Sequence, residues 1–586
     1  MPLAFTQGIF VPGIGTRGTG TGLVPGRFRP LTEALAGILV LGVFAALVLG
    51  SAGTLAPLAA VTTRPISLDP ARLPYYALRT VLRMLAAMVA SLLFTLVYGT
   101  LAAKSRRAEP VLIPLLDVLQ SVPVLGYLSF TVVFFLGLFP GRVLGAELAA
   151  VFAIFTSQAW NMTFSFYQAL RTVPHDLDEA ARAFRFPAWQ RFWRLEVPFA
   201  MPGLVWNMMM SMSGGWFFVV ASEAITVGKH QIALPGIGSY VAVAIERRDL
   251  RAVGWAILAM TVVILAYDQL LFRPLVAWAD IFRAEQTARQ ASHAWFLQLL
   301  RRSRLVIWLI APAAFALRRL LRAPLLNAPP ARARRRSSGR LLDVAWYGAV
   351  LAALLWAADV IVRFAASELR WADVETAFRL GSYTLLRVFV LIVLASLLWV
   401  PLGVVIGLRP RLAERVQPLA QFLAAFPANL LFPLAVFLIV RWRLDLDIWL
   451  SPLMILGTQW YILFNVIAGT TAYPTDLLEA AAEFRFHGWQ WWRRAILPGI
   501  FPYFVTGAIT ASGGAWNASI VAETVSWGSR TLSAQGLGAY IARMTMAGDY
   551  PRIVLGVAVM SFFVVLFNRL LWRPLYAFGE RHFRLD

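Results

Sequence analysis

Long apolar runs recur along this chain with almost no charge inside them: Leu35–Leu49, Met84–Leu101, Val253–Leu265 and Val554–Phe567. About 20 apolar residues in a helix cross a bilayer core about 30 Å thick. In lipid the backbone polar groups of such a run are satisfied only within helices or closed barrels. A barrel shows alternation over strands of about ten residues, which is not seen here. The chain is therefore expected to be an all-α polytopic membrane protein. Composition agrees: 59% of its 586 residues are hydrophobic and 14% charged, where soluble domains carry about 25% charged residues.

The net charge of +23 is read through the positive-inside rule rather than as nucleic-acid binding. The clusters Lys104–Arg107 and Arg332–Arg336 lie between apolar runs. With no cysteine there are no disulfides and no cysteine-ligated metals. The five histidines, His175, His230, His293, His487 and His582, lack ligand spacing, so no metal site is expected. Residues 1–30, rich in Gly, Thr and Pro, read as a flexible cytoplasmic tail rather than a signal peptide.

An internal repeat sets the organisation. Pro174-His-Asp-Leu-Asp-Glu-Ala-Ala181 returns as Pro474-Thr-Asp-Leu-Leu-Glu-Ala-Ala481, Gly236-Ile-Gly-Ser-Tyr240 as Gly536-Leu-Gly-Ala-Tyr540, and Leu271-Phe-Arg-Pro-Leu275 as Leu571-Trp-Arg-Pro-Leu575, all at an offset of 300. Upstream, Thr80-Val-Leu-Arg83 matches Thr384-Leu-Leu-Arg387 at an offset of 304. Six spans are expected per half: about 32–56, 77–102, 111–138, 145–170, 199–226 and 252–279, then 342–365, 378–408, 416–440, 448–471, 499–526 and 553–576. The divisions are a tail (1–30), a first repeat (31–282), a basic linker (283–340) and a second repeat (341–586). The linker's apolar stretch Val306–Leu317, flanked by arginines, is too short for an ordinary span and reads as an interfacial helix. The halves are then parallel, which keeps the Arg-rich segments 182–194 and 485–494 on one side of the membrane.

Those segments belong to the most informative motif. Each half carries Glu-Ala-Ala (Glu179, Ala180, Ala181; Glu479, Ala480, Ala481), then Arg185 or Arg485, an aromatic group including Trp189 or Trp489, and Pro198 or Pro498, where the chain is expected to re-enter the membrane. Asp176 and Asp476 are candidate N-caps, with Glu179 and Glu479 three residues on. Small alanines allow close approach by another protein, and the tryptophans offer apolar contact.

This pattern resembles the "EAA" loop of bacterial ABC importer permeases over about 77–280 and 378–578. The family usually has Gly six residues after the Glu, where glycine makes φ > 0 cheap; here Arg185 and Arg485 stand there. A narrower resemblance, Glu223 before Leu-Pro-Gly-Ile-Gly238 and Glu523 before Gln-Gly-Leu-Gly538, is to the nitrate/sulfonate/taurine/bicarbonate branch. The resemblance implies a type I ABC importer-like fold of about 12 transmembrane helices in the bacterial inner membrane, both termini cytoplasmic. It implies two ATPase subunits docking on the two loops, and a periplasmic substrate-binding protein delivering a small solute such as nitrate, a sulfonate or bicarbonate. One copy per transporter then supplies both permease domains.

The chain has no G-x-x-x-x-G-K-[ST] phosphate cradle, so it is not expected to be an enzyme or to bind a cofactor itself; ATP and Mg would sit on the partner ATPases. Span five is the richest in small and polar residues. Its path or gate candidates are Asn207, Ser211, Ser213, Trp216 and Glu223, and Thr510, Ser512, Trp516, Asn517 and Glu523, although small residues also serve helix packing. The alternative is a secondary transporter with two six-helix halves, which needs no ATPase and is more often marked by mid-membrane charge pairs.

Overall fold

The computed structural model describes residues 66–227, 230–282, 311–312, 315, 339–471, 473–528 and 530–582. The expected tail, the first span (32–56) and most of the basic linker lie outside them. In the first half, α1 (Leu73–Lys104), α2 (Glu109–Ser121), α3 (Val124–Leu138) and α4 (Val143–Arg171) lead to a short helix α5 (His175–Ala183). They are followed by a long helix α6 (Ala188–Glu223), a hairpin of β1 (Ala224–Val227) and β2 (His230–Ala233), α7 (Ile237–Glu246) and α8 (Leu250–Ala279).

The second half opens with α9 (Gly339–Glu368) and repeats the order. It continues with α10 (Trp371–Gly407), α11 (Pro410–Ala425), α12 (Phe432–Trp442), α13 (Trp460–Thr471), α14 (Thr475–Glu483), α15 (Gly488–Ala522), β3 (Thr524–Trp527), β4 (Arg530–Ser533), α16 (Leu537–Ala547) and α17 (Tyr550–Gly579).

Among the described residues 8 helices are long and apolar enough to cross a membrane. The other expected spans within the described residues are broken. Span 111–138 divides into α2 and α3 at Val122-Pro123, and span 416–440 bends by 78° at Phe426-Pro427. Proline lacks the N–H that would continue either helix and drives the preceding residue out of the α region. Span 448–471 is a short 3-10 turn and then α13, not one helix. The two hairpins were not anticipated from sequence.

Helix α4 packs along α1 and α6, and α13 along α10 and α15. Gly145, Ala146, Ala149, Ala150 and Ala153 let α4 approach its neighbours closely. Outward faces are apolar: Val89, Leu93, Val97 and Leu101 form an exposed i, i+4 stripe on α1, as lipid requires.

One core cluster draws residues from both halves, including Val124, Leu125 and Val132 with Trp516, Ile520 and Val559. Gly528 N–H, in the second hairpin, donates to Ile245 O at 3.0 Å at the end of α7. Corresponding ends of the two halves therefore meet, and the repeats run parallel.

Several prolines sit inside continuous helices, Pro202, Pro401 and Pro502 among them. Pro198, Pro274, Pro498 and Pro574 each follow a single π turn: Phe192–Glu196, Asp268–Phe272, Trp492–Ile496 and Asn568–Trp572. The extra residue in the turn absorbs the clash and the missing hydrogen bond. Pro198 and Pro498, expected where the chain re-enters the membrane, thus lie within a helix and do not begin one. The helix runs unbroken from Ala188 to Glu223 and from Gly488 to Ala522.

Candidate functional site

The Glu-Ala-Ala segments fold identically in the two halves. Helices α5 and α14 start after Pro174 and Pro474, which occupy the N-cap positions. Asp176 and Asp476 therefore lie within the first turn, where their charge still favours the helix N-terminus, rather than capping it as expected. Each helix ends in a Schellman turn. Phe186 N–H donates to Ala181 O (3.0 Å) and Arg185 N–H to Arg182 O (2.9 Å); Phe486 and Arg485 do the same with Ala481 and Ala482 at 3.0 and 2.9 Å.

Arg185 and Arg485 both take φ 53°. The left-handed turn that glycine would make easily is thus kept, with arginine bearing the strain of about 1–2 kcal/mol. Phe184 stacks on Phe186 and Phe484 on Phe486, while Arg194 and Arg494 cover Phe186 and Phe486. Ala181 and Ala481 are buried under the turn, and Glu179, Glu479, Ala180, Arg185 and Arg485 face outward, Ala480 being half-buried. Trp489 is exposed and Trp189 half-buried; Pro198 is buried and Pro498 half-buried, so the prolines act through helix geometry.

What holds each loop to its helices differs. In the first half an ionic strap runs from Lys104, at the end of α1, to Glu196 (2.6 Å), Arg191 (3.2 Å), Asp178 (3.1 Å) and Arg182 (2.7 Å). The corresponding residues of the second half are Leu408, Ile496, Trp491, Leu478 and Ala482. Ile496 belongs to the main hydrophobic core, and Leu408, Trp491 and Leu478 pack against it.

At the opposite end, Glu223 is fully buried beside the end of α6. Its Oε1 accepts from Arg83 Nη1 (2.7 Å) and Thr80 Oγ1 (2.7 Å), and its Oε2 from Gly238 N–H (2.7 Å). Arg83 also grips Glu147 (2.6 and 2.8 Å), which pairs with Arg79 as well. Glu523 repeats this with Thr384 (2.8 Å), Arg387 (3.2 Å) and Ala539 N–H (3.1 Å), and Arg387 reaches Asp447 (2.9 Å). A Cβ on Gly236 or Gly536 would collide with the glutamate carboxyl. The Glu and Gly-x-Gly elements of the sequence are therefore two sides of one latch. Their partners Thr80, Arg83, Thr384 and Arg387 were visible only as a repeated tetrapeptide, whose offset of 304 hid the connection to acids repeated at 300.

Between the halves lies a cavity of about 330 Å³. Of the span-five candidates, Ser213, Thr510, Ser512, Trp516 and Asn517 line it. Asn517 Oδ1 also accepts from Val124 N–H (2.8 Å), which fixes the break between α2 and α3 at the cavity wall. Trp216 lines a smaller cavity of about 130 Å³ with Tyr267 and Phe422. Asn207 bonds its own helix at Gly203 O, Ser211 is buried, and neither lines either of these two cavities; nor do Glu223 and Glu523. Among the described residues the larger cavity is walled by amides, hydroxyls and aromatic rings (Trp160, Phe217, Tyr461), with no ionisable acid or base other than tyrosine. Sequence reasoning missed the contribution of the helix breaks, which Pro123 and Pro427 signal.

Three relatives bear on this arrangement. A glycine betaine/carnitine transport permease of Listeria monocytogenes is 29% identical over 33% of this chain and 63% of its own length. A glycine betaine/proline betaine transport system permease of Escherichia coli is 31% identical over 28% and 44%. A bicarbonate transport system permease of Synechococcus elongatus is 26% identical over 30% and 60%. Each alignment spans less than two thirds of the relative. Residues 95–272 and 399–573, together more than half of the chain, each match one family, and with two copies in one polypeptide the chain belongs to the binding-protein-dependent transport system inner membrane components.

Proposed function

We propose that this chain forms the translocation path of an ATP-driven importer in a bacterial inner membrane, one copy per transporter, with both termini cytoplasmic. Two ATPase subunits dock on the loops around Glu179 and Glu479, and a periplasmic binding protein delivers the solute at the opposite face. ATP and Mg belong to the partners. The observation that carries this reading is the pair of superposable Glu-Ala-Ala helices, each closed by the same left-handed arginine turn. Two surfaces presenting one backbone geometry suit two related docking grooves. The test is the pair Glu179→Arg and Glu479→Arg in the full chain. ATPase co-purification and solute uptake should both be lost while the unfolding temperature holds. Intact uptake with no ATPase attached would return the chain to the secondary-transporter class.

For the solute we propose a small oxyanion, in line with the bicarbonate relative. The uncharged described lining of the cavity leaves selectivity to the binding protein, because a fixed cation would hold an anion too firmly for release. The betaine relatives and the aromatic wall favour a second reading, a compact quaternary ammonium zwitterion. Competition between labelled bicarbonate, nitrate and glycine betaine for uptake separates the two. The exposed Arg247, Arg248 and Arg251 at the outer end are proposed to meet acidic lobes of the binding protein.

A further inference from the structure

The two loops share a backbone but not a surface. Both expose Glu179 or Glu479, Phe184 or Phe484, and Arg185 or Arg485. Beside these common features, Arg182, whose side chain is 70% exposed although paired with Asp178, is replaced by Ala482. The next position reverses the sign: Ala183 is exposed in the first loop and Glu483 in the second. At these two positions the charge changes by two units, of which the replacement of Asp178 by Leu478 offsets one over the whole helix. The apolar offering changes too, since Trp489 is 72% exposed while Trp189 packs against Trp193.

Charges at the rim of an interface discriminate partners, because like charges placed opposite each other are costly. A groove with an acid opposite Arg182 repels Glu483, and a groove with a base opposite Glu483 repels Arg182. Two identical grooves therefore complement one loop less well than the other. Fusion guarantees one loop of each kind in every molecule, so a matched pair of different partners can assemble without a sorting step.

We infer that the loops dock two chemically different ATPase chains, the first groove carrying an acid for Arg182 and the second a base for Glu483. The inference rests on the permease reading above. The test places the photoreactive analogue benzoylphenylalanine at Phe184 in one variant and at Phe484 in another, with the full chain expressed in its own host. The cross-linked chains are then identified by mass spectrometry. Two different ATPase chains, one per position, are expected. The exchange Arg182→Ala, Ala183→Glu, Ala482→Arg, Glu483→Ala should reverse the assignment. One ATPase chain at both positions overturns the inference and leaves the permease reading standing; no ATPase at either overturns both. Adducts unchanged by the exchange overturn charge as the discriminator.

Discussion

Neutralising one acid of each latch should have very unequal effects. Glu147 has a side chain only 8% exposed and faces both Arg79 and Arg83. In Glu147→Gln Arg83 keeps the carboxylate of Glu223, while Arg79 loses its buried charge partner Glu147. Breaking a buried pair of this kind costs about 3–5 kcal/mol, most of it the uncompensated charge left behind. Asp447, its counterpart, is 47% exposed, faces Arg387 and accepts from Gln535 N–H at 2.6 Å. Asp447→Asn keeps an oxygen for that bond and releases a charge already half in water, so about 0–1 kcal/mol is at stake. At about 2–4 °C per kcal/mol for a unit the size of one half, the unfolding temperatures should fall by about 6–20 °C and less than about 4 °C. Tryptophan fluorescence of the detergent-purified chain reads this, at one scan rate because membrane-protein unfolding is often irreversible. Adding Arg79→Met to Glu147→Gln should recover part of the loss by rebalancing charge. Equal losses in the two single variants, or no recovery in the double, would refute the assignment of the latches as charge-balanced staples.

Gly238→Ala sets a methyl against the Val220 carbonyl of the main chain, which cannot step aside, so folded yield in the membrane should drop several-fold; Gly254→Ala, in open space, is the control. Arg185→Gly with Arg485→Gly removes two left-handed arginines and should stabilise the loops by about 1 kcal/mol each, read as a raised unfolding temperature. Glu196→Ile alone removes the carboxylate that Lys104 and Arg191 share, leaving Arg191 with Asp178, and should destabilise the first loop, read as faster proteolysis at the neighbouring arginines. Replacing the whole strap with its second-half residues (Lys104→Leu, Asp178→Leu, Arg182→Ala, Arg191→Trp, Glu196→Ile) should restore protection, because a complete apolar substitute for an ion network is often neutral or stabilising.

How much of this was legible in the chain follows from which atoms each feature depends on. Span content, parallel halves and the Glu-Ala-Ala motif were readable because they rest on hydrophobicity and on repetition. The π turns were not. Pro198 and Pro498 announce a disturbed helix, but whether the helix ends or widens is settled by packing around Phe192 and Ile496, far outside any sequence window. Asp176 was misplaced by two residues because Pro174 can occupy the N-cap position itself. The arginine turns were also beyond sequence reading: a non-glycine residue at φ 53° is costly on its own, and only the stacked phenylalanines and covering arginines show what holds it there.

The two halves therefore diverge by a physical rule. Where one backbone atom must approach another, at Gly238 and Gly538 or at the Schellman turns, both copies keep the same solution, since no side chain can replace a missing Cβ or a carbonyl in the right place. Where side chains alone connect two helices, chemistry is interchangeable, and Lys104–Glu196–Arg191–Asp178 becomes Leu408–Ile496–Trp491–Leu478. Such an exchange passes through intermediates with a charge left unpaired, each costly while the strap is partly buried. That cost separates the halves into two stable designs and opposes drift back to equality. The outer surface of the loops is constrained less, Arg182 being tied only to Asp178 at the end of the strap. On the proposed reading, the opposite charges of Arg182 and Glu483 are the part of the duplication that an ATPase partner reads.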